Sequence, residues 1–311
     1  LTKTAKAFAP GAISSFFQIH DSQNGKPLSD LEKMGAWGGG FGLVKGTTTT
    51  LTIEKAQINS VNVFINQKPV AQACATHKVA DKLLSKISEK YAVTVEHQVE
   101  LPIGMGFGTS AAGALTTGLA LSDALGLSLT VNQIGKIAHA VDIECKTGLG
   151  TVSSLTFGGK CILVTKPGAP GICQTDQIPI NPKYVLVAGF FNTKISKDEI
   201  FSNPQRAQKI NRIGKKTLTN ILKKPCLENF LSCCWEFSET SGFATENVRR
   251  LAGLALDAGG VGCAQNMIGE AVHCLVVEEK AGFVAQAFMR VLPKENVIVS
   301  KLDALGVRLI K

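Results

Sequence analysis

Apolar positions recur along this chain in two periods, and the first third carries the shorter one. Thr47 to Glu54 (TTTTLTIE) and Ser60 to Ile65 (SVNVFI) are β-branched, alternate in polarity and are bounded by polar turns, which predicts two strands. Glycines crowd the approach to the first of them, at 35, 38, 39, 40 and 42. Val79, Leu83, Leu84 and Ile87 fall at helical spacing and predict a helix from about Thr76 to Lys90. A further strand follows over Ala92–Leu101, with Val93, Val95, Val99 and Leu101 on one face. Pro102 ends it and a glycine loop begins.

Beyond the loop the helical period takes over. Ser110 to Leu125 reads as a small-residue helix that must pack closely against a neighbour. Val131 to Cys145 places Ile134, Ile137, Ala138, Val141 and Cys145 on one stripe, with His139, Asp142 and Lys146 together beside it. Four prolines and two glycines between Lys166 and Pro182 mark a boundary. After it come a strand (Tyr184 to Phe191), helical segments, a glycine turn at 259–262, a strand (His273 to Glu278), a helix (Gly282 to Val291) and a last strand near Val297. The layout is α+β. Lys209 to Lys224 is basic, but Ile210, Ile213, Leu218 and Ile221 space it as a helix with one solvated face.

Composition narrows the function classes without choosing one. The 311 residues are 45% hydrophobic and 18% charged, a globular balance that excludes general disorder. The formal net charge of +9 points to an anionic partner of some kind. Between Ile103 and Leu129 the only formal charge is Asp123, yet Gly, Ser and Thr break the apolar runs, so no membrane span is expected there. Nine irregularly spaced cysteines contain no C-x-x-C pair, and the first residues lack a secretory apolar core. Reduced, mostly buried thiols in a cytoplasm are the expectation.

The chemistry concentrates in Pro102–Gly113, PIGMGFGTSAAG. A strand ends at a proline, glycines alternate at 104, 106 and 108, and Thr109-Ser110 open a helix. Backbone N–H groups at a helix start bind anions, and glycines let a polyphosphate come close. The spacing matches neither a Walker loop nor a dinucleotide fingerprint nor a nucleophile elbow.

This stretch resembles the P-x-G-x-G-[LF]-G-[ST]-S-A-A phosphate loop of the GHMP kinase superfamily. Phe8–Phe17 (FAPGAISSFF) is similar to that superfamily's first motif, a Pro-Gly turn shaping the acceptor site. Ala258–Gly269 resembles the third, a glycine turn folded over the nucleotide loop. Within the superfamily the likeness is greatest to the archaeal pantoate kinase family, through F-A-P-G, P-I-G-x-G-F-G-T-S, Ala138-His139-x-x-Asp142 and Thr147-Gly148-Leu149-Gly150.

The resemblance implies a ribosomal-protein-S5-like N-terminal domain over residues 1–175 and a ferredoxin-like C-terminal domain over 176–311. It implies ATP on Pro102, Gly104, Gly106, Gly108, Thr109, Ser110, Ala111 and Ala112, with Mg2+ held by Ser110 and Asp142. A small hydroxy acid is expected against Pro10, Gly11, Ser14, Trp37, His139 and Gly260, with Ser110, His139, Asp142 and Thr151 about the reacting groups. Ser14 reads equally as an acceptor contact or a turn cap, and Trp37 as a pocket wall or as packing. No nucleic-acid or membrane partner is expected, and a homodimer is left open. The implied reaction moves the γ-phosphoryl group of ATP to the 4-hydroxyl of (R)-pantoate. A kinase for another small alcohol and a nucleotide binder without turnover are the alternatives.

Several positions depart from the family pattern. Ala12 stands for a histidine, Ala36-Trp37 for a Ser-Arg pair, and Asp142 for a glutamate. Thr151 replaces the usual catalytic aspartate, leaving Glu144, His139 or a water to take the proton.

Overall fold

The computed structural model describes residues 2–23, 25–193 and 203–311. Its first sheet is built on two long strands, β1 (Lys3–His20) and β4 (Gly35–Lys55), which run antiparallel from Lys3 opposite Ile53 to His20 opposite Gly35. A small hairpin, β2 (Ser22–Gln23) with β3 (Lys26–Pro27), lies between them in sequence. β5 (Ser60–Ile65), β6 (Lys68–Pro69) and β7 (Tyr91–Val99) extend one side, giving the order β1-β4-β7-β5-β6. β5 and β7 are parallel, joined through helix α1 (Cys74–Leu84). β8 (Cys161–Lys166) pairs with the glycine end of β4, and β9 (Gln174–Gln177) pairs with β8. Because β9 belongs to this sheet, the chain leaves it only after Gln177, not at the predicted 175/176 division.

Helices α2 (Thr109–Leu125), α3 (Val131–Glu144) and α4 (Thr151–Phe157) complete this half. α2 is buried on nearly every side, which its Ala, Gly and Thr content allows; Gly118 lets Ile134 of α3 pack against it. A Thr130–Gln133 capping box sets the start of α3.

The second sheet is four-stranded: β10 (Tyr184–Phe190), β11 (Gly262–Gln265), β12 (Ala271–Val277) and β13 (Val297–Ser300) in the order β11-β12-β10-β13, with every neighbouring pair antiparallel. Numbered within this half, that is 2-3-1-4, the ferredoxin-like order. Helices α5 (Pro204–Lys223), α6 (Leu227–Ser241) and α7 (Glu246–Asp257) lie between β10 and β11, and α8 (Ala281–Met289) between β12 and β13. α5 is the basic stretch: Ile210, Leu218 and Ile221 are buried while its lysines face solvent.

One apolar cluster runs across both halves, from Ile13, Phe16, Phe41 and Phe107 to Leu186, Phe190, Phe230 and Phe237. The tail then returns to the first sheet, where β14 (Arg308–Leu309) pairs with Ala7 and Phe8 of β1.

Three expectations change here. Pro10-Gly11 is not a turn but a bulge within continuous β1, where a Cβ on Gly11 would strike Leu101. Helix α1 stops at Leu84 rather than Lys90. And the thiols are not all reduced: Cys74 and Cys145 form a disulfide, while the other seven cysteines are free. Those two open α1 and cap the C-terminus of α3, a pairing across 71 residues that no spacing rule reveals.

Candidate active site

Strand β7 ends at Val99, and the loop after it holds three glycines in left-handed backbone: Gly104 at φ +81°, Gly106 at +82° and Gly108 at +67°. Glycine alone enters that region without a Cβ penalty. Left-handed residues alternating with ordinary ones aim successive N–H groups to one side and make an anion-binding nest. Gly108 is also the N-cap of α2; no side chain caps this helix, and no acidic residue stands in its first turn. The N–H groups of Thr109, Ser110 and Ala111 therefore lack helix acceptors and carry the positive end of the helix dipole. Gly104 is exposed, and a Cβ built there meets nothing within 4 Å. Open approach, free donors and no negative charge fit a triphosphate.

A cavity of about 460 Å³ opens beside the loop. One wall is main chain, from Pro10, Ala12 and Ser14 of β1 and the glycines at 38–40 of β4. Those glycines are required by close approach: a Cβ on Gly38 would stand 2.7 Å from the Phe16 carbonyl, and one on Gly40 would overlap that of Ile13. A second wall is the α3–α4 turn, Lys146 to Thr151, and Trp37, Met267 and Ile268 are also in the lining. Gly108 ties loop to cavity, since a Cβ there lies 3.0 Å from both Ala12 and Thr151, and the Ala12 N–H donates to the Phe107 carbonyl at 3.0 Å.

Of the predicted acceptor residues, Pro10, Ser14 and Trp37 line the cavity, as does Thr151. Ser110 sits half-buried at the start of α2, in the nest rather than in the cavity lining. Asp142 is buried behind the α3–α4 turn. Its carboxylate accepts the Thr147 hydroxyl and its carbonyl accepts the Thr147 N–H at 2.9 Å, while Gly148 packs over the other carboxylate oxygen. Among the described residues no cluster of three His, Cys, Asp or Glu side chains is placed to hold a metal. Of the two predicted magnesium ligands only Ser110 stands in the nest; the Asp142 carboxylate is engaged by the α3–α4 turn.

His139 and Gly260 fall elsewhere. His139 is buried, and its Nε2 donates to the Met34 carbonyl at 3.0 Å, so it anchors the approach to Ala36 and Trp37 rather than touching the cavity. Burial holds its pKa below the ordinary value, against the Met34 and Leu31 carbonyls that favour its cation. Gly260 lies against Cys274 and Ala255 in the second half. The segment over the loop is instead Asn266–Met267, 3.6 Å from a Cβ on Gly106. Glu144, a candidate proton acceptor, faces outward between Lys78 and Lys82, and the Lys82 hydrogen bond lowers its pKa.

Further residues also shape the site. Lys146, Asp21 and Asp303 line the cavity. Ser15 bonds His273 Nε2 at 2.9 Å, and His273 Nδ1 bonds Asn266 at 2.8 Å, all buried. With the Met267 N–H on the Ser14 carbonyl at 2.8 Å, this relay joins β1 to the turn over the loop. Its sequence signals were Ser15 in the first motif and Asn266 in the third, while β12 hides His273 in an apolar run.

An anion nest at a helix start, an adjoining cavity and a ferredoxin-like second half define a small-molecule kinase of the GHMP class, and residues 74–159 match the GHMP kinases N terminal domain. The chain is 30% identical to the pantoate kinase of Methanocaldococcus jannaschii, covering 88% of this chain and 93% of that one. It is 32% identical to the pantoate kinase of Thermococcus kodakarensis, covering 89% of each. A solved phosphotransferase related to the CoA biosynthesis pathway superposes with a TM-score of 0.86 at 27% identity, covering 99% of this chain and 98% of the other. This chain belongs to the pantoate kinase family of the GHMP kinases.

Proposed function

We propose that this chain transfers the γ-phosphoryl group of ATP to the 4-hydroxyl of (R)-pantoate, an early step toward coenzyme A. The observation that carries this reading is the 460 Å³ cavity set directly against the nest, at Gly108. The nest and the α2 N-terminus would hold the β- and γ-phosphates, with the Thr109 and Ser110 hydroxyls beside them. Magnesium bound with the nucleotide would supply charge neutralisation, with Ser110 the side-chain oxygen at hand in the nest, since the buried Asp142 carboxylate is taken up by the Thr147 turn.

Threonine at 151 puts no carboxylate where the cavity meets the loop. Phosphoryl transfer through a loose transition state depends mainly on positioning and electrostatics. A missing general base removes about 10²–10⁴-fold of rate. On this reading the proton passes to water and turnover is slowed accordingly.

Purified protein with magnesium-ATP and a panel of hydroxy acids, read by mass spectrometry, tests this. One phosphate gained by pantoate supports it; phosphate on a different acid alone sinks it. ATP binding without any product would point to a regulator, the reading that Thr151 favours.

A further inference from the structure

Three charged side chains line the cavity: Asp21, Asp303 and Lys146. Asp303 is buried and occupied, accepting the N–H groups of Leu305 and Gly306 at 2.9 Å and the Arg308 guanidinium at 3.1 Å. Asp21 is exposed and follows the last residue of β1. Lys146 is the cation of the lining, and its ammonium makes no ion pair with an acidic group among the described residues. The Ala36-Trp37 wall contributes no charge.

The backbone at Lys146 is unusual. Its N–H bonds the Ile143 carbonyl at 2.9 Å, and the Thr147 N–H bonds that of Asp142 at 2.9 Å. These are the paired bonds of a Schellman helix end, with Lys146 at the left-handed position, φ +55°. Glycine is the residue that position prefers, because a Cβ there is strained. A lysine placed where glycine would be more stable, in the lining of a cavity, is a local rule broken at a site. Cys145, the preceding residue, is held to Cys74 by the disulfide, which fixes the start of the turn.

We propose that the Lys146 ammonium binds the carboxylate of the acceptor and selects anionic hydroxy acids over neutral alcohols. This rests on the kinase reading above and names how its cavity recognises the acid. The competing anion is the nucleotide triphosphate. The carboxylate is favoured because it is Thr151, at the other end of the turn, that packs against Gly108 of the nest.

The test uses Lys146→Gly, Lys146→Met and Lys146→Arg in the full chain, with pantoate and ATP binding each measured by calorimetry and turnover measured separately. Lys146→Gly should melt higher than the parent, because the left-handed turn is relieved. Both Gly and Met should weaken pantoate binding and raise its KM by about 10- to 100-fold, the range of a charge-assisted contact, with kcat and ATP affinity little changed. Arg should restore much of the pantoate affinity, and the neutral amide of pantoate should bind parent and variants alike. Unchanged pantoate affinity in Lys146→Met overturns the proposal, and so does a parallel loss of ATP affinity. If the parent binds pantoate but transfers nothing to it, the kinase reading fails while the lysine assignment is still decided by calorimetry. A parent that binds no hydroxy acid overturns both.

Discussion

Substituting Gly108 by alanine tests the joint between nest and cavity. At φ +67° any Cβ carries a left-handed strain of about 1–2 kcal/mol. Gly104, at φ +81°, carries the same strain but points into open space. At Gly108 the new methyl would also stand 3.0 Å from Ala12 Cβ and Thr151 Cγ2 and 3.2 Å from the Ala12 carbonyl, so two cavity walls must give way. Adding about 1 kcal/mol for that overpacking places Gly108→Ala at about 2–3 kcal/mol, against about 1–2 for Gly104→Ala. Urea denaturation would resolve the pair. Because the loop carries the phosphate-binding N–H groups, ATP titration should show at least about a tenfold loss for Gly108→Ala, the equivalent of about 1.4 kcal/mol. Equal stability of the two variants would refute the crowding argument. Full ATP affinity in Gly108→Ala would refute the nest itself.

Other outcomes follow from single features. Thr151→Asp places a carboxylate at the first residue of α4, where the helix dipole favours it, and should raise kcat with pantoate by about tenfold or more; a lower kcat would show that no base is wanted there. His273 and His97 are buried without a counter-charge, so desolvation pushes their pKa values down to about 3 and about 4. Unfolded, they return to about 6.5, so from there down to about pH 4 the unfolded chain binds more protons. Stability should fall with falling pH through that window by about 1.4 kcal/mol per unit per imidazole and be insensitive to both above it. Denaturation midpoints that stay level between pH 6.5 and 5 would contradict this. Cys145→Ser opens a closed loop of 71 residues and should cost about 2–4 kcal/mol, matched by adding reductant to the parent. Identical curves with and without reductant would mean the bond is absent in solution.

The parts of this molecule legible in its sequence were those whose signal is local. α2 and α3 begin and end within a residue of their periodic patterns, because glycine, a capping box and buried stripes act at short range. The phosphate loop was readable for the same reason: three left-handed glycines need no distant partner. β1 was missed because its Pro10, Gly11 and serines look like a turn, and only 17 paired residues of β4 make it a strand. His139 shared a helix face with Asp142, which suggested a joint role. Tertiary packing separated them, giving one to the Met34 carbonyl and the other to the Thr147 turn. Gly260 sat in the right motif but at the wrong end of it. The Cys74–Cys145 bond joins two helix ends through contacts that exist only in the folded chain.

The glycine wall at 38–40 bears on how such a site diversifies. Where Phe16 and Ile13 carbonyls fill the space a Cβ would take, that wall cannot acquire a new functional group by point mutation without moving β1. Change is confined to the other surfaces, at Ala36-Trp37, Met267-Ile268 and the Lys146–Thr151 turn. The same division separates an unalterable half of the pocket, which sets its size, from an editable half that decides which acid is accepted. A laboratory search for new substrates in this chain should randomise the second and leave the first alone.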